Sequence, residues 1–228
     1  MGDWKTKAFK RGRFDAILKV GGSVIWGHAA SGCADALEEA GRTKKLLVIP
    51  GGGAPDNLIE KQHNSTPLDG RVFHQMTLLA QDQSGLLFSN KRSHIVPVRT
   101  VDEAELIASS GKVAVLLPHN LLMTIDVFRY TNRVTSDSMA AYVAGLLRCD
   151  HFILVKSRKP STLPVTKLSL MADAGYVDEV FPEMVEANRY ECLFADIQDI
   201  KGLALQIQDL EKRLLPRLLR TVDQARNR

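Results

Sequence analysis

No run of about 18 consecutive apolar residues occurs in the 228-residue chain, so a membrane span and a membrane partner are not expected. Nor do the first residues form the continuous apolar segment of an export signal, which makes the cytoplasm the expected location. Cysteine is scarce. Cys33, Cys149 and Cys192 are odd in number, widely spaced and without a CxxC pair, which argues against both a disulfide framework and a zinc site; they read as small hydrophobes, and no protein-held metal is expected. A Walker loop is missing, which disfavours a P-loop enzyme. Aromatic residues make up 6% of the chain, and no aromatic-interleaved motif supports RNA binding. The net charge of +4 is concentrated near Lys5–Arg13 and Lys212–Arg228, terminal clusters that read as solvated tails or oligomer contacts, so nucleic acid is not the expected partner. Asn64-Ser65-Thr66 matches a glycosylation acceptor formally, but without export it reads as loop.

With 45% hydrophobic and 25% charged residues, the chain has material for one buried α/β core behind a basic tail, as a tail over 1–12 and a single domain over 13–228. Apolar runs at Phe14–Val20, Leu46–Ile49, His94–Val98, Val113–Leu117, His151–Val155 and Tyr190–Phe194 read as strands. Helical patterns fall between them at Ala29–Ala40, Pro55–Gln62, Val72–Ser89, Asp102–Ser109, Ser136–Leu147 and Asp199–Leu219. That alternation predicts a mainly parallel sheet covered on both faces, with ligands at the carboxyl ends of its strands. In the Val72–Ser89 helix, Met76, Leu79, Ala80 and Gln83 share a face that leaves His74, Gln75 and Asp82 elsewhere. The last helix carries Ile200, Leu203, Ala204, Ile207 and Leu210 as a stripe suited to covering the sheet or a second subunit. Lys156–Thr166, rich in Pro, Ser and Lys, reads as a loop.

The chemistry is concentrated in three short segments. Leu18-Lys19-Val20-Gly21-Gly22-Ser23 carries a lysine on an apolar strand into two glycines and a helix start. Without a Cβ, Gly21 and Gly22 let backbone N–H groups approach an anion, and the positive end of the helix dipole faces the same point. Gly51-Gly52-Gly53 repeats that logic after Leu46–Ile49. Two such turns predict two phosphate groups facing each other. Thr135-Ser136-Asp137-Ser138 then opens an amphipathic helix, where Ser136 or Asp137 can cap the helix and an ionised Asp137 can orient lysines around a transferring phosphoryl group.

The lysine-glycine strand end, Ile49-Pro50-Gly51-Gly52-Gly53, Thr135-Ser136-Asp137-Ser138-Met139-Ala140-Ala141-Tyr142 and Cys149-Asp150-His151-Phe152-Ile153-Leu154-Val155-Lys156 together resemble the amino acid kinase superfamily over about residues 14–156. The helix Phe73–Gln83 and the segment from Pro118 to Ser138 resemble its small branch from methanofuran and methylofuran synthesis, which phosphorylates an (aminomethyl)furan-methyl phosphate. The resemblance implies a three-layer αβα sandwich, with an acceptor-side lobe over about 13–135 and a nucleotide-side lobe over about 136–228. It also implies transfer of the γ-phosphoryl of ATP, with Mg2+, to a small phosphorylated acceptor, in a homo-oligomer. UMP or isopentenyl phosphate as acceptor, and a non-catalytic nucleotide- or oxyanion-binding protein on the same fold, are the alternative readings.

On that resemblance Lys19 neutralises the transferred phosphoryl and Asp137 orients the lysines. Lys156 is the second cation, with Lys159 or Lys167 as substitutes. Gly21, Gly22 and Ser23 hold the nucleotide phosphates, with Lys159 on the same ligand. Gly51, Gly52 and Gly53 cradle the acceptor, which Asp56, Arg71, His74, Asn132 and Thr135 contact; the Arg71 guanidinium can engage two phosphate oxygens at once. The chain departs from the family after Val155, reading Lys156-Ser157-Arg158-Lys159-Pro160-Ser161 where members continue with a Thr-Asp-Val-Asp-Gly type of loop. It also lacks the family's closing Gly-Thr element.

Overall fold

A computed structural model of the protein describes residues 12–128, 133–158, 167–188 and 190–210. Its strands are β1 (Ala16–Val20), β2 (Leu46–Pro50), β3 (Ile95–Val98), β4 (Val113–Leu116), β5 (His151–Lys156) and β6 (Glu191–Asp196). They form one sheet in the order β3-β4-β2-β1-β5-β6, and every pairing is parallel, so the expected mainly parallel sheet is wholly so among the described residues. β1, β2 and β4 are buried at every position, as strands covered on both faces must be.

The helices are α1 (Gly22–Ile25), α2 (Ala30–Gly41), α3 (Ala54–Ser65), α4 (Gly70–Phe88), α5 (Val101–Ser109), α6 (His119–Ile125), α7 (Ser136–Leu146), α8 (Leu168–Asp173), α9 (Phe181–Glu186) and α10 (Ile200–Gln208). Alternation along β1 divides the core: Ala16, Leu18 and Val20 pack with residues of α1, α2 and α10, while Ile17 joins those of α4, α5, α7 and α9. Helices therefore cover both faces, giving the three-layer αβα sandwich. Leu203, Ile207 and Leu210 are buried against the sheet, so the α10 stripe serves the core. Cys33 and Cys149 are also buried, which pushes their thiols up to about 12.

Several elements depart from the sequence reading. α6, α8 and α9 were not expected, and each spans seven residues or fewer, too short for a helical period to register, while the helix start expected after Gly21 is the single turn α1. β1 starts at Ala16 rather than Phe14, because the Asp15 carboxylate accepts from Lys45 N and ties the strand entry down. The largest correction concerns α4. Its buried face carries Phe73, His74, Thr77, Leu78, Gln81, Ser84 and Phe88; of the expected face Ala80 is buried too, while Leu79 is 41% exposed and Gln83 is exposed. Hydrophobicity misidentified that face because α4 turns polar side chains inward. Residues 211–219 of the last predicted helix and residues 1–11 of the tail lie outside the described residues.

The chain leaves β1 for β2 on one side, whereas β5 leads to β6 on the other. Strand connections thus diverge at the carboxyl ends of β1 and β5, where an open α/β sheet has its ligand crevice.

Candidate active site

Lys19 ends β1 on the same parity as Ile17, and Lys156 ends β5 on the same parity as Phe152 and Leu154, so both lysines project toward α7. There they meet one carboxylate. Lys19 Nζ lies 2.6 Å from Asp137 Oδ1, and Lys156 Nζ donates to Asp137 Oδ2 at 2.7 Å. Lys19 and Asp137 are 5% and 4% exposed. Burial, the largest influence on Asp137, opposes its ionisation, yet the two ammonium groups hold its carboxyl below the usual range. Burial likewise lowers the Lys156 pKa, with Asp137 pulling the other way. One carboxylate shared by two lysines leaves net positive charge at the crevice.

The glycine turns close over this cluster. Gly51 N donates to Val20 O at 2.8 Å and Gly21 N to Val155 O at 2.9 Å, which anchors each turn to a neighbouring strand end. A Cβ on Gly22 would stand 2.2 Å from Gly53 N, and one on Gly51 would stand 2.6 Å from Gly22 N, so the turns touch backbone to backbone. Gly53, at φ +67°, also needs the left-handed conformation that glycine adopts freely. Lys19 Cε and Ser136 Oγ are each 3.3 Å from that Gly51 Cβ position, so Lys19, the second turn and the start of α7 share one place. The cleft there has a volume of about 410 Å3, and Ser23, Gly52, Asp56 and Ser136 contribute to its wall.

The start of α7 is held by Asp178, which sequence reasoning missed. Its carboxylate accepts from Thr135 N, Thr135 Oγ1 and Ser138 N at 3.0, 2.7 and 3.0 Å, and from Ser138 Oγ. It also accepts from Val180 N and Phe181 N at 3.1 and 3.0 Å, pinning α9 to α7. Thr135, not Ser136 or Asp137, is the N-cap, its Oγ1 accepting from Asp137 N at 3.3 Å. No spacing in the chain links position 178 to position 135, so the contact had no local signal.

On the β5 side, Lys156 Nζ also donates to Tyr176 O and stands 4.8 Å from the Tyr176 ring centroid. Tyr176 OH donates to Arg158 O at 3.1 Å, and burial pushes that phenol up to about 12. Ser157 Oγ is 2.9 Å from Ser23 Oγ, so the segment replacing the family's loop still touches the first glycine turn.

The remaining predicted contacts separate into groups. Asp56 lies against Gly52, whereas Arg71 is exposed at the start of α4 and His74 is buried near Phe128, with ring centroids 6.2 Å apart. Ser84, whose Oγ donates to Gly52 O at 2.6 Å, marks where α4 meets the cleft. Ten and thirteen residues separate it from His74 and Arg71, about 15 and 20 Å of helix, so neither is brought to the glycine turns. Lys167 is exposed at the N-cap of α8; Asn132 and Lys159 lie outside the described residues. Trp26, also missed, donates from Nε1 to Ser84 Oγ at 2.8 Å at the edge of the cleft. A second groove of about 830 Å3 near α8 and α9 includes Asp173, Glu179, Glu183 and Glu186, with Arg133 engaged by Glu179 at 2.6 Å. Such acidity does not suit two polyanions.

A parallel αβα sandwich with paired lysines under two stacked glycine turns is an arrangement able to hold phosphate groups. No protein-family profile matches the chain. It is 27% identical over 180 residues to a [5-(aminomethyl)furan-3-yl]methyl phosphate kinase of Methanocaldococcus jannaschii, a match covering 75% of this chain and 82% of that protein. The fold is similar to uridylate kinase from Archaeoglobus fulgidus, with a TM-score of 0.64 and 15% identity over 85% of this chain and 95% of the other. It is also similar to aspartate kinase from Synechocystis, with a TM-score of 0.57 and 14% identity over 81% of this chain but 38% of that longer one. The chain is therefore similar in sequence to a small-molecule phosphate kinase and shares its fold with uridylate and aspartate kinases.

Proposed function

We propose that the protein is a small-molecule kinase that transfers the γ-phosphoryl of ATP to a small phosphomonoester, [5-(aminomethyl)furan-3-yl]methyl phosphate, in methanofuran or methylofuran synthesis. The observation that carries this reading is Asp137 bridging Lys19 and Lys156 directly beneath the stacked turns Gly21–Ser23 and Gly51–Gly53. The Archaeoglobus and Synechocystis structures support the fold, and the Methanocaldococcus relative supports the acceptor.

Nucleotide phosphates fit against Gly21, Gly22 and Ser23, where backbone close packing leaves no space for a Cβ at Gly22, and the acceptor phosphate fits against Gly51, Gly52 and Gly53. Asp56 and Ser136 border the acceptor turn. An acceptor phosphate oxygen bonds to the γ-phosphorus as the bond from that phosphorus to the ADP bridging oxygen breaks. The attacking oxygen already bears charge, so no general base is needed. Lys19 and Lys156 offset charge on the transferring group, and Asp137 fixes where their ammonium groups point. Mg2+ bound together with the nucleotide would supply further charge neutralisation.

We assign a cytoplasmic location; no helix among the described residues is long and apolar enough to cross a membrane. Homo-oligomerisation draws support from α4, which leaves Val72, Leu79 and Leu86 exposed at seven-residue spacing. ADP release with four acceptors tests the main reading. The furan phosphate stimulates release, and UMP, isopentenyl phosphate and acetylglutamate do not. Stimulation by UMP or isopentenyl phosphate instead selects the corresponding alternative acceptor, and tight ATP binding with no stimulation by any acceptor selects the non-catalytic reading.

A further inference from the structure

A cleft shaped for two polyanions carries a carboxyl group in its wall. The Asp56 side chain lies across the second glycine turn, its Cβ 2.5 Å and its Cγ and Oδ2 each 2.6 Å from where a Gly52 Cβ would stand. The first turn of α3 fixes it there. Its Oδ1 is occluded from solvent and meets no hydrogen-bond donor among the described residues. Burial raises the Asp56 pKa to about 7, and Glu60, one turn along α3, pushes in the same direction while Lys19 opposes. Phosphate would only be repelled by such a group once ionised. What complements it is a donor that carries positive charge.

Trp26 borders the same cleft. Its indole N–H is fixed on Ser84, which is itself fixed on Gly52 O, and a Cβ on Gly53 would stand 2.3 Å from Trp26 Cδ1. Two contacts therefore lock the ring, although it is 45% exposed. A rigid, half-exposed indole beside a carboxyl suits a flat, cationic ligand, since the ring face attracts both aromatic surface and positive charge.

The geometry points to Asp56 and Trp26 as the specificity site for the non-reacting end of the acceptor, with Asp56 pairing with a primary ammonium and Trp26 packing on the ring that bears it. This inference rests on the kinase reading above and deepens it. It defines the acceptor class as a zwitterion, phosphate at one end and amine at the other, which distinguishes it from neutral-ended phosphomonoesters.

Calorimetric titration of the full chain with Mg2+ and a nonhydrolysable ATP analogue tests the assignment. Four probes are used: the aminomethylfuran phosphate, its hydroxymethyl counterpart, 3-aminopropyl phosphate and propyl phosphate. For the wild type each amine binds about 30-fold more tightly than its neutral partner, the size of one charge-assisted hydrogen bond. In Asp56→Asn that ratio falls to about 1, with an unchanged circular dichroism spectrum. Trp26→Leu reduces binding of the furan amine about 5-fold more than that of 3-aminopropyl phosphate, and Trp26→Phe recovers most of the difference. Equal wild-type affinity for amines and neutral partners, or equal weakening of both by Asp56→Asn, overturns the inference. If the furan phosphate is never phosphorylated, the furan-acceptor reading fails, and the aminopropyl against propyl contrast still decides the role of Asp56.

Discussion

The ends of β1 and β5 offer the same residue to the same carboxylate, yet they do not do the same work. Lys19 pairs with Asp137 and has its Cε beside the Gly51 turn. Lys156 divides its ammonium among Asp137, the Tyr176 carbonyl and the Tyr176 ring, and its pKa is lowered, mainly by burial. On the proposed reading Lys19 supplies most of the charge that a phosphoryl group meets, and Lys156 sets the geometry of the β5 side. Position in a sheet gives two residues equal access to a crevice; their other partners decide how much charge reaches the ligand.

That contrast is broken most severely at the turn beside Lys19. Gly22→Ala forces a Cβ to within 2.2 Å of Gly53 N, backbone against backbone, and abolishes ADP release while lowering the thermal midpoint by about 10 °C. Lys19→Met comes next, reducing kcat about 1000-fold in steady-state assays; Lys156→Met reduces it about 30-fold, and equal losses would erase the distinction between the two strand ends. Asp178→Asn acts on both lysines through α7. An amide can accept on one side only, so several of the six donors now met by the carboxylate go unsatisfied. Its expected signature is a midpoint lowered by about 5 °C and kcat lowered about 10-fold with little change in the KM for ATP.

A further effect is one of pH. Burial pushes the Asp56 carboxyl from its ordinary 3.8 up to about 7, so the folded state holds the proton more tightly. Its contribution to stability is full below the unfolded value and is lost as pH rises through about 7. Denaturant titrations of the ligand-free protein should give wild-type stability falling from pH 4 to about pH 7 relative to Asp56→Asn. A constant difference across that range would contradict the burial assigned to this group.

Much of the site was legible because its chemistry is local. Lys19-Val20-Gly21-Gly22-Ser23 and Gly51-Gly52-Gly53 each follow an apolar strand directly, and parallel pairing of β1 with β2 then brings the turns together without further information. Asp137 was readable for the same reason, at the head of a helix. Trp26, Asp178 and Tyr176 were not, since each acts through a residue distant in the chain: Ser84, Thr135 and Lys156 respectively. Arg71 and His74 illustrate the converse. They sit on the helix that reaches the cleft, but at its opposite end, and sequence spacing alone did not fix which turn of α4 faces Gly52. The polar inner face of α4 misled the hydrophobic pattern because it lines the core beside a ligand cleft.

A crystal structure with Mg2+, a nonhydrolysable ATP analogue and the acceptor phosphate measures the central claim directly. It should give Lys19 Nζ about 3 Å from a γ-phosphoryl oxygen, with that group between the two glycine turns and Asp137 still joined to both lysines. Nucleotide phosphates bound in the acidic groove beside α8 and α9, or anywhere that leaves Lys19 without a phosphate contact, would contradict it.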